Sequence, residues 1–181
     1  MSILHKYLDM LARASVKHRS LRVKVIAVIL GFSTFFIIIP FVLFFAANMV
    51  ERLVPSNGWR TLEIVFSLAA ICVGLLILAW STLTQAKIGR GTPVPVVPTQ
   101  KLIVSGPYKL CRNPIQLGAM LYYLGIGMFF GSFKIGMLML LLSFIPGTSY
   151  HKLVEEKELL LRFGREYEEY KARTPFLLPR I

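Results

Sequence analysis

The stretch YHKLVEEKELLLRFGREYEEYKARTP, residues 150–175, holds six of the nine acidic residues in the whole chain. On a helix, His151 and Glu155 lie four apart and share a face, as do Glu155, Leu159 and Arg162, while Glu156, Leu160 and Phe163 form the neighbouring stripe. The apolar run FKIGMLMLLLSFIPGTSY comes directly before them. Glu155 and Glu156 therefore stand about one turn beyond the last apolar residue, where a carboxylate loses solvation and an ionised one needs a partner. A cationic ligand would supply it. Glu158, Glu166, Glu168 and Glu169 read instead as a solvated helix face, paired with Lys152, Lys157, Lys171 and Arg173. His151 is of the residue type that exchanges protons near neutral pH, so it could relieve an amine or thiol of its proton. It could equally be a plain interfacial residue. Arg112 or Arg173 could position a carboxylate instead. No metal set is expected, because the other two histidines, His5 and His18, lie at the far end of the chain.

The elements that must carry these residues are apolar. The chain is 55% hydrophobic and only 17% charged, with a mean hydropathy of +0.63. Its charges are segregated: none falls between Lys24 and Glu51, from Ile64 to Ala86, or from Asn113 to Phe133. Each block is long enough for a membrane span, which takes about 20 residues. A fourth, Ile135 to Tyr150, suffices if its helix continues into the polar segment. Spans are expected over about Val23–Met49, with a kink at Pro40, then Leu62–Ile88, Pro114–Gly131 and Phe133–Tyr150. The last two are joined by little more than GSF and must form an antiparallel hairpin, with Gly118, Gly125, Gly127 and Gly136 allowing close approach. Residues 1–22 have the spacing of an interfacial amphipathic helix. Gly164 breaks the helix after the fourth span, and a last short helix ends before Pro175.

The formal net charge of +12 is explained by topology. With four spans, all three basic regions fall on one side, and the positive-inside rule places both termini in the cytoplasm. No nucleic-acid partner is expected, since the aromatics are buried in the spans rather than interleaved with Lys and Arg. Cys72 is mid-span and Cys111 is in a loop, so no disulfide between them is expected. The connection GRGTPVPVVPTQKLIVSGPYKLCRNP has too many prolines for a helix and too many apolar residues for a free linker, so it should pack over the cytoplasmic end of the spans. The expected fold class is an all-α, polytopic helical membrane protein of about four spans. It forms one membrane-embedded domain over 1–181, comprising 1–22, spans 1 and 2 over 23–88, and a core over 89–181.

The pattern SGPYKLCRNPIQLG, followed after a helical hairpin by H-x3-EE-x2-L-x3-FG-x2-Y-x2-Y-x-R-x-P, resembles the integral-membrane methyltransferases. These include the isoprenylcysteine carboxyl methyltransferases and the phospholipid N-methyltransferases. The resemblance covers roughly residues 89–179 and implies S-adenosylmethionine as cofactor, held in a cytoplasmic pocket between the loop before span 3 and the helix after span 4. By position it implies that Gln100, Lys101, Leu102, Ile103, Tyr108, Asn113, Pro114, Ile115 and Gln116 line the cofactor. It also implies that Glu155, with Glu156 beside it, meets the methionine ammonium. Where the prenylcysteine enzymes have His-Pro-x-Tyr, this chain has Asn113-Pro114-Ile115-Gln116. Where they have an Arg four residues before the key glutamate, it has His151. The phospholipid enzymes share the Asn-Pro variant and a Tyr-Leu-Gly like Tyr123-Leu124-Gly125.

The expected function is methyl transfer from S-adenosylmethionine to a lipophilic acceptor from the bilayer, either a phospholipid amine headgroup or an isoprenylcysteine-like carboxylate. His151 and Arg112 are the candidate catalytic residues. The expected location is a prokaryotic cell membrane, with the endoplasmic reticulum as the alternative. The competing class is a non-catalytic polytopic protein, such as a small transport or assembly subunit. It would need an intramembrane polar pathway, for which the spans offer only Ser, Thr and Gln.

Overall fold

The computed structural model describes residues 21–51, 60–89 and 99–179. The expected interfacial helix over 1–22 lies almost wholly outside these residues, as does the start of the proline-rich connection. Among the described residues every regular element is helical: α1 (Leu21–Ser33), α2 (Ile39–Glu51), α3 (Arg60–Thr84), α4 (Pro107–Leu110), α5 (Pro114–Phe130), α6 (Phe133–Tyr150), α7 (Glu156–Phe163) and α8 (Arg165–Arg173). Three wider π-turns, Thr34–Ile38, Gln85–Gly89 and His151–Glu155, continue α1, α3 and α6. Ile29–Met49, Thr61–Gly89 and Phe133–Phe163 are long and apolar enough to cross a membrane, and Pro114–Phe130 is a shorter apolar helix. The all-helical membrane class expected from the sequence holds. The fourth span does continue into the acidic segment, through the turn at His151–Glu155.

The chain divides into two compact units. One comprises Ser33–Ala79 and Ile115–Gly147. Its core is Ala47, Ala119, Tyr123, Ile135 and Met139. Pro40 has no N–H, so the Phe36 carbonyl one turn earlier loses its usual donor. The helix widens there, and hydroxyls from α5 approach instead. Tyr123 donates to the Phe35 carbonyl at 3.0 Å, and Tyr122 to that of Phe36 at 3.5 Å. In hydrocarbon, freed backbone groups need such replacements. After the short link, Ser132 caps α6 by accepting the Ile135 N–H at 3.2 Å.

Helices α3 and α5 meet backbone to backbone. A Cβ at Gly74 would stand 2.7 Å from both the Gly118 carbonyl and the Tyr122 nitrogen, and one at Gly118 2.9 Å from the Gly74 carbonyl. Neither neighbour is a side chain that can swing away. Gly74→Leu should therefore cost about 1–3 kcal/mol or more through overpacking, read as a lowered thermal unfolding midpoint in detergent. An unchanged midpoint would show that the helices do not touch there.

The second unit comprises residues up to Phe32, Trp80–Pro114 and Thr148–Ile181. Gly164, at φ +50°, turns α7 into α8. The segment after α8 is tied to the residues before α5. Arg112 N–H donates to the Pro175 carbonyl at 2.9 Å, and Asn113 Nδ2 to that of Phe176 at 3.0 Å. Tyr170 on α8 donates its hydroxyl to the Tyr108 carbonyl at 2.6 Å.

Candidate functional site

Within this second unit lies an open cleft of about 500 Å³, its mouth to solvent included. Gln85 enters it from the π-turn after α3, Thr99, Leu102 and Ile103 from the connection, and Tyr108, Arg112 and Asn113 from α4 and the residues after it. His151 and Glu155 come from the third π-turn, Glu156 and Leu159 from α7, and Tyr167 and Tyr170 from α8. Two of the three π-turns thus present side chains to one cleft, in keeping with the frequency of such turns at functional sites.

The two adjacent glutamates differ in their partners. Glu156 is taken at both oxygens: Arg112 Nη1 lies 2.6 Å from Oε1 and Lys171 Nζ 2.5 Å from Oε2. Glu155 is 38% exposed at its side chain, and among the described residues its ion-pair partner is His151, through Nδ1. With Nδ1–H given to Glu155, Nε2 is the nitrogen left to accept a proton. Arg112 also donates from Nη1 to the Tyr167 hydroxyl at 3.3 Å and lies over the Phe176 ring, 5.5 Å from its centroid.

Tyr108 is 8% exposed. Burial, and then the charge of Glu155, push its phenol far above the usual range, so it stays neutral and able to donate. Burial, followed by the charge of Glu156, raises Tyr167 to about 12, and burial raises Tyr170 further. Burial also pushes the Cys111 thiol up, which leaves it a poor nucleophile. The Gln85 side chain lies beside the Tyr108 hydroxyl. Even so, Gln85 Oε1, the Tyr108 hydroxyl and Arg112 Nε are buried without a hydrogen bond of good geometry to any protein group. These buried polar atoms belong to residues that line the cleft, and such atoms call for a polar partner.

Of the residues expected to line a cofactor, Leu102, Ile103, Tyr108, Asn113, Glu155 and Glu156 stand around this cleft, together with Arg112 and His151. Gln100 and Lys101 are exposed, and the Gln100 N–H donates to the Gly89 carbonyl at 2.7 Å. Pro114, Ile115 and Gln116, at the start of α5, are not among the cleft-lining residues, and Gln116 lies against Gly147. Sequence reasoning did not single out Gln85, Thr99, Leu159, Tyr167 or Tyr170 as cleft residues. The Tyr-x2-Tyr spacing on α8 and the helical spacing of Leu159 from Glu155 were the signals for three of them. The reading of Glu158 as solvated is corrected: it is 6% exposed and pairs with Arg162 at 2.6 Å. Its face of α7 is covered, because Arg162 reaches across to the Thr99 carbonyl. Among the described residues, no three His, Cys, Asp or Glu side chains are grouped to share a metal ion.

The profile of a family described as phospholipid methyltransferase matches residues 62–166. The nickel-cobalt-cadmium resistance protein NccN of Alcaligenes xylosoxydans xylosoxydans is 29% identical over 115 residues, covering 61% of this chain and 53% of its own. The cobalt-zinc-cadmium resistance protein CzcN of Cupriavidus metallidurans is 29% identical over 139 residues, covering 68% of this chain and 62% of its own. The chain thus spans between half and two thirds of the length of these curated relatives. No solved structure matches it.

Proposed function

The chain belongs to the phospholipid methyltransferase family, and from that premise we propose that it transfers a methyl group from S-adenosylmethionine to a lipophilic acceptor drawn from the bilayer. The observation that carries the reading is the division between the two glutamates. Glu156 is held at both oxygens by Arg112 and Lys171, whereas Glu155 lines the cleft, half-exposed, with only the His151 ring on the same turn as its ion-pair partner among the described residues, so its second oxygen could meet a ligand cation. Glu155 would hold the methionine ammonium. The Tyr108 hydroxyl, Gln85 Oε1 and Arg112 Nε, unmet within the protein, would bond the cofactor's remaining polar groups, with Tyr167 and Tyr170 as aromatic wall.

The bound cofactor supplies an activated sulfonium methyl, so the protein's part is to align the acceptor and exclude water. An amine acceptor must lose a proton, and Nε2 of His151 is placed to receive it while Glu155 holds the other ring nitrogen. A carboxylate acceptor needs no base. We favour the amine headgroup, on the Asn113-Pro114 variant and on the His151–Glu155 pairing. A cofactor supplied from the cytoplasm would need the cleft on the cytoplasmic side of the membrane, in keeping with the positive-inside reading of the basic regions.

Calorimetric titration of the protein in detergent with S-adenosylmethionine tests the reading, followed by transfer of labelled methyl groups to lipid extracts. Saturable binding and a labelled lipid are expected, and absence of binding would return the chain to the non-catalytic class. With an amine acceptor the rate should rise with pH, and His151→Ala should lower kcat more than KM. A flat profile with His151→Ala fully active would point to a carboxylate acceptor.

A further inference from the structure

Glu158 and Arg162 are an ion pair that neither the cleft chemistry nor a solvated helix face accounts for. Their side chains are 8% and 9% exposed, and they meet at 2.6 Å. Burying two charges costs several kcal/mol each, so such a pair is weak grounds for stability by itself. Here the guanidinium has a second task. Nη1 holds Glu158, while Nη2 donates to the backbone carbonyl of Thr99. Thr99 is a cleft residue, and its neighbour Gln100 is fastened through its N–H to the Gly89 carbonyl at 2.7 Å. Gly89 in turn is packed so tightly by Thr99 and Ile103 that a Cβ there would fall 2.7 Å from Thr99 Cγ2. The connection has no regular secondary structure over 99–105, so these few bonds set where its backbone lies.

We infer that Arg162, held in place by Glu158, is a positioning residue that fixes the Thr99–Ile103 rim of the cleft and so controls how long the cofactor stays bound. The inference rests on the cofactor reading above, but the rim can also be observed without cofactor. An ammonium has one centre of charge, whereas the planar guanidinium can hold a carboxylate and a carbonyl in fixed directions at once. That geometry is what a strut between α7 and the connection requires. Arg162 itself does not line the cleft, so the chemical step should not depend on it.

The decisive variant removes both charges. Replacing a buried ion pair by apolar residues of similar volume is often neutral or stabilising, so Glu158→Leu with Arg162→Met should fold with an undiminished unfolding midpoint while losing the bond to Thr99. The expected result is a rise of about tenfold or more in the Kd for S-adenosylmethionine, with kcat at saturating cofactor within about twofold of the parent. Amide exchange across 99–103 should also be faster in the protein without cofactor. Arg162→Lys, which keeps the charge pair and gives up the second arm, should show the same pattern more weakly and serves if the double variant fails to fold. A folded double variant, or failing that Arg162→Lys, that binds like the parent with unchanged exchange would overturn the inference. Failure of the parent protein to bind S-adenosylmethionine would instead defeat the proposed function, leaving the exchange measurement to decide the strut.

Discussion

Glu155→Gln is expected to weaken S-adenosylmethionine binding by roughly ten- to a hundredfold while leaving the protein folded. The substitution keeps the shape and removes the charge, and a hydrogen bond to a charged group contributes about 1.5–3 kcal/mol. Folding should tolerate it, because Glu155 is 38% exposed at its side chain and its partner in the structure is a histidine on the same turn. Glu168→Gln, on the exposed side of α8, is the control and should bind like the parent. Titration calorimetry on both, with circular dichroism to verify the helix, makes the comparison. Equal losses in the two variants would mean that the acidic segment acts by its overall field and that Glu155 has no special role.

Arg112→Met should act mainly on the fold. The Arg112 and Glu156 side chains are 11% and 14% exposed and meet at 2.6 Å, and breaking a buried pair by removing one member typically costs about 3–5 kcal/mol. Lys171 remains on the other oxygen of Glu156, which places the expected loss near the lower figure. The variant also strips the Tyr167 hydroxyl of its donor and Phe176 of the cation above its ring. The checking measurement is the thermal unfolding midpoint in detergent, and a clear fall is expected together with weaker cofactor binding. An unchanged midpoint accompanied only by a raised acceptor KM would reassign Arg112 to the anchoring of a carboxylate acceptor, the role its charge alone suggested.

Much of this architecture is legible in the chain because it depends on local or compositional signals. Charge-free blocks mark the spans, Pro40 removes a helix donor at a known place, and Gly164 takes a backbone conformation that other residues avoid. The pairing of His151 with Glu155 is expected from their four-residue spacing and forms within the π-turn. What the sequence hides is long-range. Glu156 finds Arg112 44 residues upstream and Lys171 15 residues downstream. Glu158 is buried beside Arg162, which on the same helix reaches a backbone carbonyl 63 residues earlier. No periodicity announces such contacts. The connection is hard to read for the opposite reason. Lacking regular repeats, it gives no basis for deciding that Leu102 and Ile103 turn to the cleft while Gln100 and Lys101 turn to solvent.

The π-turn at His151–Glu155 has a further consequence, best put as phase. Each residue of an α-helix advances the side-chain direction by about 100°, since a turn takes 3.6 residues. A π-turn takes in one residue more than an α-turn before its hydrogen bond closes. Everything from Glu156 to Arg162 is therefore set one residue out of step with the numbering that an unbroken helix would impose. In that shifted phase Glu155 and Leu159 line the cleft while Arg162 reaches the Thr99 carbonyl. Removing a single residue from the turn would restore a perfect α-helix and rotate both sets away from their partners.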